Sequence, residues 1–337
     1  AATQGRGLLI LDDLTPLRQA SESIMEANGY LFKPAVAIRV RNNNNKDTPL
    51  PPEIPAAQNP PTGAVFDYWL GKGVHGPVKL AIYDSHGKLV RAYASDADIP
   101  TLKTHQYFND GWLVPMEMPP STPGAHRFIW NLRYARPKAI LYDYSIAALY
   151  NQGTPVVPEG PRVLPGHYSV ELTVDGVNYH QPLTVSFDPR IQPAPSALEQ
   201  QFSLARRIDA SMDDTYAAYT ALQDMHTQLA ALKSRLMIEP AKARLLQSVN
   251  DLDQQVTMLA DKPKGQGSFG AINRRLTDLA TQVDDGDRKP PASYYETFKS
   301  YMGNIDTAMV SWKRLQSKDI PALNAQLKHL GVKPLKL

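Results

Sequence analysis

The chain contains no cysteine. That single absence excludes disulfides, thiolate metal sites and a cysteine nucleophile, and leaves the redox compartment open. It also lacks any run of 18 apolar residues, so no membrane-spanning helix is expected. Neither charge dominates: 36 basic residues stand against 33 acidic ones, a formal net charge of +3. No Lys/Arg block reaches the length of a nucleic-acid-binding arm, so a nucleic-acid partner is not expected either. The opening residues AATQGRG hold neither the basic nor the apolar part of a signal peptide. Motifs of chemistry are sparse as well. None of the eight histidines forms HExxH or a close helical pair, and there is no G-x-S-x-G. GKGVHG (71–76) lacks the Lys-Ser/Thr of a P-loop, and DDGD (284–287) lacks the spaced oxygens and closing Glu of a calcium loop. The sequence therefore predicts no metal site and no cofactor, and it offers no catalytic constellation.

What is present is organisation. At 337 residues, 42% hydrophobic and 20% charged, the chain suits two or three globular domains. Its 29 prolines crowd into the first 195 residues, which predicts a loop-rich β half followed by a helical half. Residues 5–11 read as a strand, with Leu8 to Leu11 as its short apolar run, ended by Asp12 and Asp13. A short helical piece is expected around Ser21 to Ala27, and YLFKPAVAIRV (30–40) reads as one further strand. RNNNNKDTPLPPEIPAAQNPPTG (41–63) reads as a linker.

Residues 64–190 carry the alternation of an immunoglobulin-like antiparallel sandwich. AVFDYWL (64–70) is one strand. A hairpin turns at Asp84-Ser85-His86-Gly87. GAHRFIWNLRY (124–134) sets Phe128, Trp130 and Leu132 on one face. A second hairpin turns at Asp175-Gly176, with Tyr168, Val170, Leu172 and Val174 pointing inward, answered by Tyr179, Leu183, Val185 and Phe187. A Tyr- and Pro-rich excursion, 135–163, interrupts this domain.

From residue 196 the apolar period becomes helical. Ser196 with Glu199 suggests a capping box. Leu198, Phe202, Ala205, Ile208, Met212, Tyr219, Leu222, Met225, Leu229, Leu232 and Leu236 trace a helix of roughly 40 residues. Three more stripes follow, around Leu245–Leu259, Ile272–Val283 and Tyr294–Leu315. A last short helix is closed by Gly331. One-sided stripes predict an antiparallel helical bundle over 196–331.

Taken together, GRGLLILDDLTPLRQ, GAHRFIWNLRYARP, LPGHYSVELTVDGVNYHQPLTVSFDPR and WKRLQSKDIPALNAQL resemble the C-terminal region of large bacterial secreted proteins with sortilin-type (VPS10-like) β-propellers. These are also described as BNR-repeat glycosyl hydrolases or photosystem II stability-factor-like proteins. The resemblance runs through nearly the whole chain in the same order. It implies an α+β multidomain protein. Residues 1–40 would hold the last propeller strand and a connecting segment. A linker, the sandwich and the bundle would follow, with the rest of the propeller lying upstream and the protein located in the periplasm or outside the cell.

On this reading the chain is a non-catalytic accessory region bracing the propeller. The alternatives are one wall of a glycosyl hydrolase-like enzyme and a sortilin-like peptide- or protein-binding protein, so the ligand could be a protein, a peptide or a glycan. Glycoside hydrolysis needs two carboxylates across a cleft. Asp12 and Asp13, adjacent on a strand, would point to opposite faces and suit a turn or cap instead. Asp67 beside Tyr68 and Trp69 could offer a carbohydrate platform, although aromatic residues in such a strand mostly build the core. The strongest recognition candidates are Tyr142, Tyr144 and Tyr150 in the excursion, with an intramolecular seal as their bland counterpart.

Overall fold

The computed structural model describes residues 2–3, 7–8, 13–41, 60–99, 101–104, 106, 116, 118–144, 156–191, 193–237, 243–262 and 267–336. The protein is mixed α/β, about 45% helix and 22% strand, with largely antiparallel sheets and a separate helical region. It divides into two compact units. The sheet unit comprises Ala1–Leu102, Gln106–Ala135 and Tyr144–Pro195. The helical unit comprises Lys103–His105, Arg136–Asp143 and Ser196–Leu337.

The sheet unit opens with a two-residue ladder, β1 (Ala2–Thr3) against β2 (Gly7–Leu8). Asp13 then makes an Asx-type turn: its Oδ1 accepts from the Thr15 N–H at 2.8 Å, just ahead of helix α1 (Thr15–Gln19). Ser21 caps α2 (Glu22–Glu26) through the Ile24 N–H. Asp12 lies outside the described residues, as does most of the linker.

The segment expected as one strand, 30–40, is two. Strand β3 (Gly29–Leu31) pairs antiparallel with β5 (Ala64–Leu70), while β4 (Ala37–Arg39) pairs parallel with β12 (Val177–Phe187). Pro34 has no N–H to offer a ladder, so the chain leaves one sheet there and joins the other. The sheets thus reach back to residue 29, earlier than the boundary at 64 that alternation suggested.

Strands β6 (Lys79–Asp84), β7 (Leu89–Ala94), β8 (Gly124–Trp130) and β11 (Gly166–Val174) complete two sheets, ordered β4-β12-β11-β6-β7 and β3-β5-β8. Short strands β9 (Asp143–Tyr144) and β10 (Val156–Val157) lie between. Both expected hairpins form. The β6–β7 turn carries Gly87 at φ 75°. In the β11–β12 turn both Asp175 and Gly176 have positive φ, at 47° and 80°, as a type I′ turn demands. Alternation buries one face of each sheet in a shared cluster that includes Phe66, Tyr68, Leu80, Trp130, Leu172 and Leu183. Fully burying each such side chain stabilises the fold by about 1.5–3 kcal/mol.

In the helical unit, α3 runs from Pro195 to Leu236, 42 residues and about 63 Å at 1.5 Å per residue. Pro195 occupies the first helical position, where its missing N–H costs no bond, so Ser196 falls inside the first turn rather than at the cap. Helices α4 (Ala243–Asp261), α5 (Phe269–Val283) and α6 (Ala292–Arg314) follow the expected stripes. A π-helical turn, Leu315–Asp319, joins α6 to α7 (Ile320–His329). The wider turn is explained by Pro321, whose ring would clash with the Ser317 carbonyl in a continuous α-helix. Gly331 closes α7 as expected: its N–H donates to Lys328 O, and the Val332 N–H donates to Leu327 O at 2.9 Å, a Schellman pair.

Candidate functional site: a strap held by buried polar residues

Part of the Tyr-rich excursion belongs to the helical unit. Arg136–Asp143 forms a non-helical strap across α3 and α5. Apart from Asp143 in β9 and one parallel bridge from Tyr142 to Thr104, its main chain joins no ladder, yet Pro137, Ala139, Ile140 and Tyr142 are buried, so its polar groups need partners. Side chains supply them. Asn273 on α5 is fully buried. Its Oδ1 accepts from the Ile140 N–H at 2.9 Å, and its Nδ2 donates to Lys138 O at 3.2 Å. The same Nδ2 lies 3.0 Å from Met212 O and 3.2 Å from Thr215 Oγ1, both on α3. Asp213 Oδ1 accepts from the Lys138 N–H at 2.8 Å. The strap is thus read as main chain from both sides, by an amide on one helix and a carboxylate on another.

Tyr142 sits within this arrangement at 7% exposure. Its hydroxyl donates to Pro137 O at 2.8 Å and accepts from the Ala139 N–H at 3.0 Å, folding the strap on itself. Its own N–H donates to Lys103 O at 2.8 Å, and the Arg136 guanidinium lies over its ring. Burial pushes its phenol above the ordinary range. Tyr142 therefore packs into the interior of the helical unit, as in the intramolecular seal that was the alternative to recognition. Tyr144, the second residue of β9, is half-buried, and Tyr150 lies outside the described residues.

Asp209 lies on α3 one turn before Asp213. It is 8% exposed; Oδ2 accepts from Arg206 Nη1 at 2.9 Å, and Oδ1 has no hydrogen-bond partner among the described residues. Burial, offset in part by Arg206 and reinforced by Asp213, pushes its carboxyl up to about 7.

Other polar groups are occupied elsewhere. Asp67 is bidentate to Arg127 across β5 and β8, at 2.8 and 3.1 Å. Asp253, buried on α4, accepts from His226 Nδ1 at 2.6 Å and pairs with Lys233, both on α3. GKGVHG is a loop held by Asp175, which accepts from the Gly76 N–H at 2.7 Å. DDGD links α5 to α6 and carries the exposed Asp285–Arg288 pair. Among the described residues, no group of three or more His, Asp or Glu is arranged to hold a metal ion.

The sequence did contain a signal for the hub. Asn273 stands three residues before Leu276, on the edge of the apolar stripe of α5, where an unpaired amide would be costly. Compared with protein-family models, curated proteins and solved structures, the chain matches none of them.

Proposed function

We propose that this chain is a non-catalytic accessory and interaction region: an immunoglobulin-like sandwich followed by an antiparallel helical bundle, bracing an upstream β-propeller of a larger exported protein. The sandwich reading is supported by the cluster that both sheets fill and by Tyr168 at the start of β11. The Tyr168 hydroxyl donates to Leu164 O at 2.6 Å, the pattern of a tyrosine corner. The bundle reading is supported by five helices that each bury one stripe.

The bracing role rests chiefly on one observation. Helices α1 and α2 bury none of their residues, and Leu14, Leu17 and Met25 are 44%, 63% and 46% exposed. Three large apolar side chains within twelve positions, next to a two-stranded ladder too small to stand alone, suit a face that docks against another sheet.

The test is the mass of the native material, followed by exchange at 13–27. The reading expects a species well above 37.3 kDa in which these amides are protected. It also expects Leu17→Glu with Met25→Glu to remove that protection. A native species of 37.3 kDa with unprotected amides at 13–27 would overturn the reading.

A further inference from the structure

We propose that the end of the helical unit where α3 stops, α4 starts and α7 stops binds a membrane surface rich in anionic lipid. The inference goes beyond the bracing role and does not rest on it, because it concerns only this end of the helical unit.

Hydrogen bonds bring the three helix ends together. Helices α3 and α4 are joined by residues 237–242. They meet again where His226 contacts Asp253 at 2.6 Å, ten residues before the last of α3 and ten after the first of α4. The pair is thus antiparallel, with Leu236 and Ala243 at one level. On α6, Arg314 donates to Gln255 of α4 at 2.8 Å, and α7 packs on α4 as the chain continues. The helical stretch from Arg314 to His329 spans about 20 Å at 1.5 Å per residue, which carries the end of α7 to the start of α4. Side-chain amides then fix the tail. Asn324 bonds both main-chain groups of Leu335, at 2.7 and 3.0 Å, and Gln228 bonds both of Lys336, at 2.8 and 3.0 Å.

One sign of charge collects there. Arg235, Arg244, Lys328, Lys333 and Lys336 are exposed. Lys233 pairs with Asp253, but segments 228–237, 243–250 and 320–336 hold no Asp or Glu of their own, and Glu239 and Lys242 in the link cancel. The opposite end, where Gln201 bonds Val283 O, is followed in the chain by Asp284, Asp285 and Asp287, so charge is graded along α3. Such a gradient orients the unit in a field, basic end first. Two apolar side chains stand among the cations. Met237 and Leu330, the residues just past α3 and α7, are 69% and 48% exposed.

Cations alone suit any polyanion. Cations beside exposed apolar side chains suit an anionic lipid surface, where headgroups meet the charges and the apolar side chains enter the acyl boundary. Each cation near such a surface strengthens binding roughly fivefold.

A chain without cysteine takes a label at one chosen site. The full chain carries Met237→Cys with a polarity-sensitive dye, and Lys299→Cys, exposed in the first half of α6, is the control. Vesicles are phosphatidylcholine alone or phosphatidylcholine mixed with phosphatidylglycerol. With the mixed vesicles the label at 237 is expected to shift to the blue and saturate, while the label at 299 stays unchanged. Unlabelled chain should sediment with the same vesicles. Arg235→Gln with Lys328→Gln should weaken that binding by about tenfold or more, and added salt should weaken it too. The label needs no charge variant, so it decides the matter even if the double variant does not fold. No shift at 237, an equal shift at 299, equal binding to neutral vesicles, or undiminished binding by a folded double variant would each overturn the proposal. Binding to polyglutamate without binding to vesicles would assign this end to an acidic protein and overturn it as well.

Discussion

The two units solve the same problem, an interior without exposed polarity, in different ways. The sheet unit fills its cluster with apolar side chains and lets its buried and half-buried tyrosines find backbone carbonyls: Tyr68 donates to Pro120 O and Tyr168 to Leu164 O, both at 2.6 Å. The helical unit buries Gln201, Asp209, Ser211, Thr215, Asp253, Ser268, Asn273 and Thr277, against Arg39, Arg162 and Asp188 in the sheet unit. The difference follows from what each backbone leaves over. In the sheet unit the ladders pair neighbouring strands directly. In the helical unit a non-helical strap and several helix ends must be satisfied, and side chains supply many of the partners. Gln201 donating to Val283 O at the end of α5 and Asn273 at the strap are the same device used twice. Other buried polar groups are met within and between the helices: Ser211, Thr215 and Thr277 donate to carbonyls of their own helix, and Asp253 meets His226 and Lys233.

Four substitutions sharpen or break that contrast. Leu172→Ala, in the fully buried sheet cluster, is expected to cost about 2–5 kcal/mol by urea unfolding, through lost burial and the cavity left behind. A cost below 1 kcal/mol would mean that the sheets do not share a packed core.

Asp209→Asn tests the polar interior through pH. The carboxyl is raised from its ordinary 3.8 to about 7 in the fold. Between those values the folded state binds more protons than the unfolded state. Stability therefore falls as pH rises from about 4 to about 7, with a slope approaching 1.4 kcal/mol per pH unit in mid-window. Thermal midpoints of wild type should decline across that window and those of Asp209→Asn should decline less. Parallel profiles would show that Asp209 is not the titrating group.

Asn273→Ala removes a partner from buried strap groups, at about 1–3 kcal/mol. Of the four tryptophans only Trp312 falls in the helical unit, so chains keeping it as their single tryptophan report this loss separately from the sheets. A shift seen equally by a sheet tryptophan would mean that the units do not unfold separately.

The smallest effect is expected from Tyr168→Phe, about 0.5–1.5 kcal/mol for one hydrogen bond. No change at all would remove the tyrosine corner from the stability of the sheets.

Much of this architecture was legible in the sequence, because it rests on local signals. The turns at Gly87 and Gly176 are written in residues that tolerate positive φ. The stripe of α3 persists for eleven turns, and Gly331 sits where α7 must stop. What was not legible depends on partners distant in the chain. Leu31 and Ala37 look like one strand until their different neighbours, β5 and β12, are known. Tyr142, in a Tyr- and Pro-rich excursion, reads either as a recognition residue or as part of an intramolecular seal. The strap that carries it is held by Asp213 and Asn273, more than 70 residues further on. Asn273 at the edge of the α5 stripe hinted at a buried amide, but nothing local named the strap as its partner.

The most direct measurement is residue-resolved hydrogen exchange at the strap, comparing wild type with Asn273→Ala. If side chains of α3 and α5 hold the strap as main chain, the amides of Lys138 and Ile140 are strongly protected in wild type. The Ile140 amide then loses most of its protection in the variant, while the β11 amides are unchanged. Strap amides that exchange at loop rates in wild type, or that stay fully protected without the Asn273 side chain, would contradict the account.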